Sequence, residues 1–365
     1  MSKPLITLPD KGAKKAKNGF FRPSIIVPLH ALTRVPPHVE GVLMHEKCRL
    51  LVTGATGFIG QHLIPALVGH GHRVVAAVRR PMTLSPSVDQ VLIKDLADGV
   101  DWMPLLQGID VVIHLAALAH QSNDVKEALF EKINRQATAA LARATARAGA
   151  RLIFVSSVAA QSAASSDRVL TENDPCLPST AYGRSKLNAE IDIAASGGQY
   201  VILRPTLVYG RGAKGNIPKL LRLARLPLPL PFGALTNKRS LLAIENLISV
   251  IGLLIQRHEI RNEVFLVADA TPVSLPEIIA RLRHGMRRPA NLISIPPALL
   301  SNLFHMWRMS EQWEKLAGNL TVSVAKLNGI GYSPVIATLA GLAAMTARNA
   351  DQEVAALYGL IQPAA

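Results

Sequence analysis

Residues 50 to 60, LLVTGATGFIG, constrain this chain more than any other stretch. The apolar run reads as a buried parallel strand. It breaks into glycines at 54, 57 and 60, and that spacing between a strand and a helix brings backbone N–H groups against a pyrophosphate at the helix start. A dinucleotide is therefore the first ligand to consider, with Gly54, Thr56, Gly57, Phe58, Ile59 and Gly60 as its contacts. Structural turns also use glycine, so the rest of the chain has to support a cofactor.

From Leu50 onward the pattern alternates. Helices are expected over 60–69 and 125–148, with strands over 73–78, 91–93, 110–115, 152–156 and 200–203. Short β-branched strands alternating with helices predict an α/β fold, a doubly wound parallel sheet of the Rossmann type with its ligand at the C-terminal edge. After Tyr209, prolines 218, 227, 229 and 231 suggest loops. Helices over 244–256, 274–284 and 297–307 and a strand over 263–267 then suggest a smaller, mostly helical substrate lobe. A helix with a frayed tail is expected over 337–365. The expected division is a disordered extension over 1–43, a dinucleotide-binding domain over 44–210, a substrate lobe over 211–350 with some return to the sheet, and a tail over 351–365. Met44 stands just before the first strand, as though the folded part begins there.

Composition narrows the partners. Of 365 residues 49% are apolar, enough for a sizeable core. The net charge is +15, and residues 1–43 hold seven Lys or Arg against Asp10 and Glu40. The remaining basic excess suits a nucleotide or nucleotide-sugar. Nucleic acid is disfavoured, because aromatics are 4% and are not interleaved with basic residues. Cys48 and Cys176 lie far apart with no metal-ligand spacing, so a reducing cytoplasm and no metal are expected. The greasy segment 241–255 is interrupted by Glu245 and Asn246, which argues against stable membrane insertion.

Several residues carry chemistry. The second strand ends in Val78-Arg79-Arg80, where an NAD site usually places an acid, so Arg79 is a candidate for a 2′-phosphate and NADP(H) is favoured over NAD(H). The bland alternative is a pair of surface arginines. Asp95, followed by Leu96, is placed for the adenine amino group or as a helix cap. Tyr182 and Lys186, four apart, share a helix face entered through Pro178, Ser179 and Thr180. A neighbouring ammonium is expected to lower the phenol from its usual pKa of ~10, making Tyr182 a proton donor and acceptor, with Ser157 holding a substrate oxygen beside it. His114 and His120 read as packing or loop residues. Asn134, on an amphipathic helix, reads as a solvated side chain or local cap, and 220–230 reads as a partner surface or a mobile lid.

These motifs resemble the extended short-chain dehydrogenase/reductases of the NAD-dependent epimerase/dehydratase type, from about Cys48 to about Arg348. The matching pieces are TGATGFIG at 53–60, HLAA at 114–117, Asn134 in INRQAT, FVSS at 154–157, YGRSK at 182–186, LRPTLVYG at 203–210 and KRSLLAIENL at 238–247. The resemblance implies a catalytic triad of Ser157, Tyr182 and Lys186, with Tyr182 and Lys186 also touching the cofactor. It implies that Leu115, Ala116, Ala117 and Pro205 line the cofactor and that Arg239 contacts a nucleotide-sugar diphosphate, and it makes Asn134 a helix-bending or proton-relay residue. Arg211, Lys214 and Asn216 fall on the loop facing the sugar. A homodimer through the helices over 125–148 and 180–195 is implied as well.

Family subtypes narrow the reaction. Dehydratases of this type place Asp-Glu directly after the serine, and here Val158 and Ala159 stand there. The whole pattern looks closest to bacterial UDP-N-acetyl-quinovosamine-type 4-ketoreductases and UDP-sugar 4-epimerases. The expectation is therefore NAD(P)H-dependent reduction of a UDP-4-keto-6-deoxy-N-acetylhexosamine for surface polysaccharide. The alternatives are a 4-epimerase with retained NAD and a non-catalytic cofactor-binding scaffold, although a scaffold has no physical need for the triad.

Overall fold

A computed structural model of the chain describes residues 47–119 and 127–347. The expectations for residues 1–43, Met44, His120 and 348–365, and the first residues of the 125–148 helix, fall outside the described residues.

The first half follows the alternating pattern: β1 (Arg49–Thr53), α1 (Phe58–Gly69), β2 (Arg73–Val78), β3 (Val88–Leu92) and β4 (Val111–His114). Next come α2 (Glu127–Phe130), a π turn over Glu131–Gln136, α3 (Ala137–Arg147), β5 (Arg151–Val155) and a short β6 (Val169–Leu170). Then follow α4 (Ala181–Ala194), β7 (Tyr200–Pro205), β8 (Leu207–Tyr209), α5 (Asn216–Arg225), β9 (Leu241–Ala243), α6 (Ile244–Gln256) and β10 (Glu263–Val267). The chain continues through α7 (Leu275–Gly285), α8 (Pro297–Met306), α9 (Ser310–Ala317), β11 (Thr321–Val322), α10 (Ala325–Gly329) and α11 (Thr338–Ala344).

Seven strands form one parallel sheet in the order β10-β7-β5-β4-β1-β2-β3. The chain runs outward from β1 to β3, then returns to the other side of β1 for β4. The strand order reverses there, and such a switch point opens a crevice at the C-terminal edge. Alternate residues of each strand serve opposite faces. Leu50 and Val52 join Leu63, Leu67, Leu247, Ile251 and Leu254 of α1 and α6, while Leu51 joins Leu141, Phe154, Ala189 and Ile193 on the face of α3 and α4. Two small sheets, β8 with β9 and β6 with β11, sit beside the main one.

Three of the expected elements take a different form. β3 begins at Val88, ahead of the expected 91, because as an edge strand it exposes Asp89 and Gln90 and lacks a β-branched run. The expected single helix over 125–148 contains the π turn, where Asn134 is 1% exposed and bonds the backbone of Leu118 on both sides, accepting from N at 2.7 Å and donating to O at 3.0 Å. Its solvated reading is overturned. The proline-rich stretch expected as loop contains α5, with Pro218 in the first turn, where the missing N–H has no helical partner to lose. Within 220–230 Ala224 is buried, and Arg283 donates to the carbonyls of Ala224, Leu226 and Leu228 at 3.1, 3.0 and 3.0 Å, while Leu226 and Leu228 stay exposed.

The turn after β1 is fixed by backbone contact. Gly54 has φ +73, and a Cβ there would lie 2.7 Å from Ala116 N. A Cβ on Gly60 would lie 2.5 Å from Gly54 O and 2.7 Å from Ala55 O. Gly60→Ala should therefore destabilise the protein by about 2 kcal/mol or more, since the groups in the way are backbone and cannot swing aside. Urea unfolding checks this, and a loss within about 0.5 kcal/mol, typical of an ordinary surface position, would contradict it.

Candidate active site

The C-terminal edge gathers the predicted residues in three groups. At the switch point, Leu115 N donates to Thr53 O at 3.3 Å and Ala116 N to Thr53 Oγ1 at 3.3 Å, which lays Leu115–Ala116–Ala117 across the glycine turn. His114 is fully buried, with its ring nitrogens against Thr53 Oγ1 at 2.7 Å and Thr138 Oγ1 at 2.9 Å. Burial, with the charge of Lys186 adding to it, pushes His114 down to about 3, so it is a neutral packing residue at physiological pH. Thr56 is exposed and Gly57, Phe58 and Ile59 are half-buried. No side chain caps α1, so the N-terminal amides of α1 are left for an anion. The turn, closed to a Cβ on its inner side and uncapped on its outer side, fits the pyrophosphate of a dinucleotide.

The second group lies at the ends of β2 and β3. Arg79 and Asp95, predicted to meet a 2′-phosphate and an adenine, meet each other: Nη1 lies 2.6 Å from Oδ2, with side chains 68% and 37% exposed. Asp95 also accepts from Ala97 N at 3.0 Å and so caps a short 3-10 turn starting at Leu96. That backbone bond, and then Arg79, hold its carboxyl below the usual range.

The third group is built on α4. Thr180 caps the helix by accepting from Gly183 N at 3.0 Å. A Cβ on Gly183 would lie 2.2 Å from Ala159 O, so glycine lets α4 press against the turn that follows Ser157. Ser157 caps that turn, accepting from Ala159 N at 3.2 Å, and stands close enough to Tyr182 to favour its ionised form. Phe130 meets the Tyr182 ring edge-on at 6.2 Å. Lys186, 2% exposed, donates to Val155 O at 2.9 Å and lies 4.4 Å over the Phe154 ring. Pro205 is buried at the end of β7.

The electrostatics correct the sequence reading. Burial raises the Tyr182 phenol, and the neighbouring Ser157 only partly opposes it, so the direction is a rise rather than the expected lowering. Burial brings Lys186 down to about 7, with Glu190 opposing. Low polarity around both groups is what the sequence distance between them did not reveal.

The substrate candidates are more dispersed. Arg211, Lys214 and Asn216 are exposed on the segment leading from Gly210 into α5, and His62 of α1 bonds Arg211 O at 3.0 Å. The guanidinium of Arg239 donates to Gly318 O at 2.9 Å and Ala164 O at 3.0 Å, bracing two backbone segments. Glu190, Arg204 and Gly183 were missed as site residues. The spacing of four from Lys186 to Glu190, and the place of Arg204 beside Pro205, were the available signals. Among the described residues no group of three His, Cys, Asp or Glu could hold a metal ion, and no helix is long and apolar enough to cross a membrane.

A doubly wound parallel sheet with a glycine turn at its switch point and a tyrosine–lysine helix beside it defines a dinucleotide-dependent oxidoreductase or epimerase. The NAD dependent epimerase/dehydratase family model matches residues 50–268, and the chain belongs to that family. It is 33% identical to a UDP-glucose 4-epimerase of Vibrio cholerae over 301 residues, 78% of this chain and 90% of that protein. It is 25% identical to an N-acetyl-alpha-D-glucosaminyl-diphospho-ditrans,octacis-undecaprenol 4-epimerase of Escherichia coli O157:H7, over 68% of this chain and 75% of that one. The solved structure of MoeE5 in complex with UDP-glucuronic acid and NAD shares the fold, with a TM-score of 0.66 and 24% identity over 84% of this chain and 99% of that one.

Lys186 makes the site sensitive to pH even without substrate. Its folded value of about 7 lies below its ordinary 10.5, so the unfolded chain binds more protons between them and stability climbs as pH rises through that window. Lys186→Met should abolish this climb, and below pH ~7 it should be the more stable protein by an amount on the order of a few kcal/mol. Chemical unfolding of both proteins across pH checks this, and parallel stability curves would contradict it.

Proposed function

We propose that this chain reduces the 4-keto group of a UDP-linked 4-keto-6-deoxy-N-acetylhexosamine destined for surface polysaccharide, with NADP(H) as the favoured cofactor. The observation that carries this reading is the Ser157–Tyr182 pair. It stands at the same edge of the sheet as the glycine turn, with Val158 and Ala159 in place of a second acid and base. Tyr182 is then the acid–base group at this position. Its raised phenol retains its proton at neutral pH, which suits a group that must donate.

Gly54 to Gly60 would hold the pyrophosphate, Leu115 to Ala117 and Pro205 the walls of the cleft, and Arg79 with Asp95 the adenosine end. A bound nicotinamide dinucleotide supplies the hydride for carbon 4. Tyr182 gives its proton to the oxygen that forms there, completing the alcohol, and Ser157 orients that oxygen by hydrogen bonding. Lys186, positively charged below about pH 7, stabilises the phenolate that Tyr182 becomes, and solvent returns the proton. Arg211, Lys214 and Asn216 are assigned to the sugar and Arg239 to the diphosphate.

A second reading is 4-epimerisation with retained NAD. The similarity to the Vibrio cholerae 4-epimerase favours it, as does the Arg79–Asp95 pair, because Asp95 offsets the charge a 2′-phosphate would need. In either reading Tyr182→Phe should lower turnover by about 10²- to 10⁴-fold, the span of general acid–base catalysis, while dinucleotide affinity stays within about threefold. Unchanged turnover would remove Tyr182 from the mechanism. Asp95→Asn frees Arg79 and should strengthen binding of NADPH relative to NADH, whereas Arg79→Ala should weaken it. Equal effects on the two nucleotides in a fluorescence titration would refute the 2′-phosphate contact.

A further inference from the structure

Behind Tyr182, α4 carries another charged residue on the same stripe. Tyr182, Lys186 and Glu190 are spaced by four and stack along one helix face from the open edge of the sheet into the core. Glu190 is 4% exposed. Ser156 donates its hydroxyl to Glu190 Oε1, and Arg204 of β7 donates Nε to both carboxylate oxygens at 3.2 and 3.1 Å and Nη2 to Oε2 at 2.6 Å. Arg204 is held in turn, since Nη1 donates to Gln161 Oε1 at 3.1 Å and Gln161 Nε2 donates to the carbonyls of Thr171 and Asp174 at 2.6 and 3.2 Å.

A buried ion pair is a poor route to stability, because desolvation offsets the attraction and apolar replacement is often neutral or better. This one lies where charge has another use. The Lys186 ammonium is buried against Val155 O and the Phe154 ring, and burial favours its neutral form. The titratable groups that bear on it are His114 on β4, neutral as described, and Tyr182 and Glu190 on α4; behind Glu190 lies Arg204 on β7, with Cys176 of the loop before α4 favouring the charge of Arg204. Glu190 is the member of this set whose charge favours the ammonium.

We infer that Glu190 is a positioning residue for Lys186: its carboxylate, fixed by Ser156 and Arg204, supports the protonated amine and keeps it at the end of β5. Ser156 and Ser157 divide the labour. The first anchors Glu190 from just beyond β5, and the second faces Tyr182. The consequence for the reaction rests on the role given to Lys186 under Proposed function, but the electrostatic link does not.

The test reads Lys186 directly. The full chain is labelled with [13Cε]lysine, the Lys186 resonance is assigned by its loss in Lys186→Arg, and its titration is followed by NMR with and without NADPH. Glu190→Gln should lower the midpoint by about one pH unit or more, whereas Glu190→Asp, which keeps the charge, should stay much closer to the wild type. Glu190→Gln/Arg204→Gln removes the pair without leaving an unpaired buried charge, so it keeps the test open if the single variant does not fold, and it should lower the midpoint too. A midpoint unmoved in both Gln variants would overturn the inference. The pH profile of kcat separates the two ideas. An alkaline limb that shifts with the midpoint supports both, whereas a midpoint that moves while the limb stays fixed upholds the Glu190 link and overturns the catalytic role of Lys186.

Discussion

The docking of α4 against the turn after β5 is the contact on which the site depends. Glycine at 183 lets the helix approach until a methyl group would lie 2.2 Å from the Ala159 carbonyl. That proximity brings Tyr182 beside Ser157 and sends Lys186 under the end of β5, onto Val155 O. A bulkier residue would force the helix away and separate all three. The helix repeat then does the rest, because residues four apart share a face and the same docking that presents Tyr182 buries Glu190 beside Arg204.

The sheet supplies the second half of the geometry. Its strand order reverses between β1 and β4, and the glycine turn fills the opening with backbone rather than side chains. Asn134 links the two halves. It holds the backbone of Leu118, just beyond the segment that crosses the turn, and donates to Ser185 Oγ on α4 at 3.0 Å. The π turn around it is the local distortion that lets a helix residue reach both. The buried polar residues Thr53, His114, Asn134 and Ser185 lie between the glycine turn and α4, and each has a hydrogen-bond partner that fixes its direction.

Much of this was legible in the sequence because the signals were strong and local. The buried strands are β-branched runs, α6 and β10 occupy the spans their patterns predict, and Tyr182 with Lys186 declares a helix face by spacing alone. What escaped depends on long-range contact. β3 is an edge strand with polar residues, α5 tolerates a proline only because it falls in the first turn, and β6 and β11 are two residues each. At the site, Arg79 and Asp95 each looked ready for a ligand, and only the fold shows that they reach each other. The direction of the Tyr182 shift likewise depends on how far a half-buried phenol is removed from water, and composition and spacing do not encode that.

The stoichiometry of cofactor use tests the proposed net reduction most directly. Protein freed of bound nucleotide is mixed with NADPH and a UDP-4-keto-6-deoxy-N-acetylhexosamine, and the nicotinamide absorbance is followed alongside the mass of the sugar product. One NADPH should be oxidised for each sugar converted, with a product heavier by two hydrogens. Interconversion of two 4-hydroxy UDP-sugars by protein that keeps its NAD, with no net change in nicotinamide absorbance and no consumption of NADPH by the keto sugar, would contradict it.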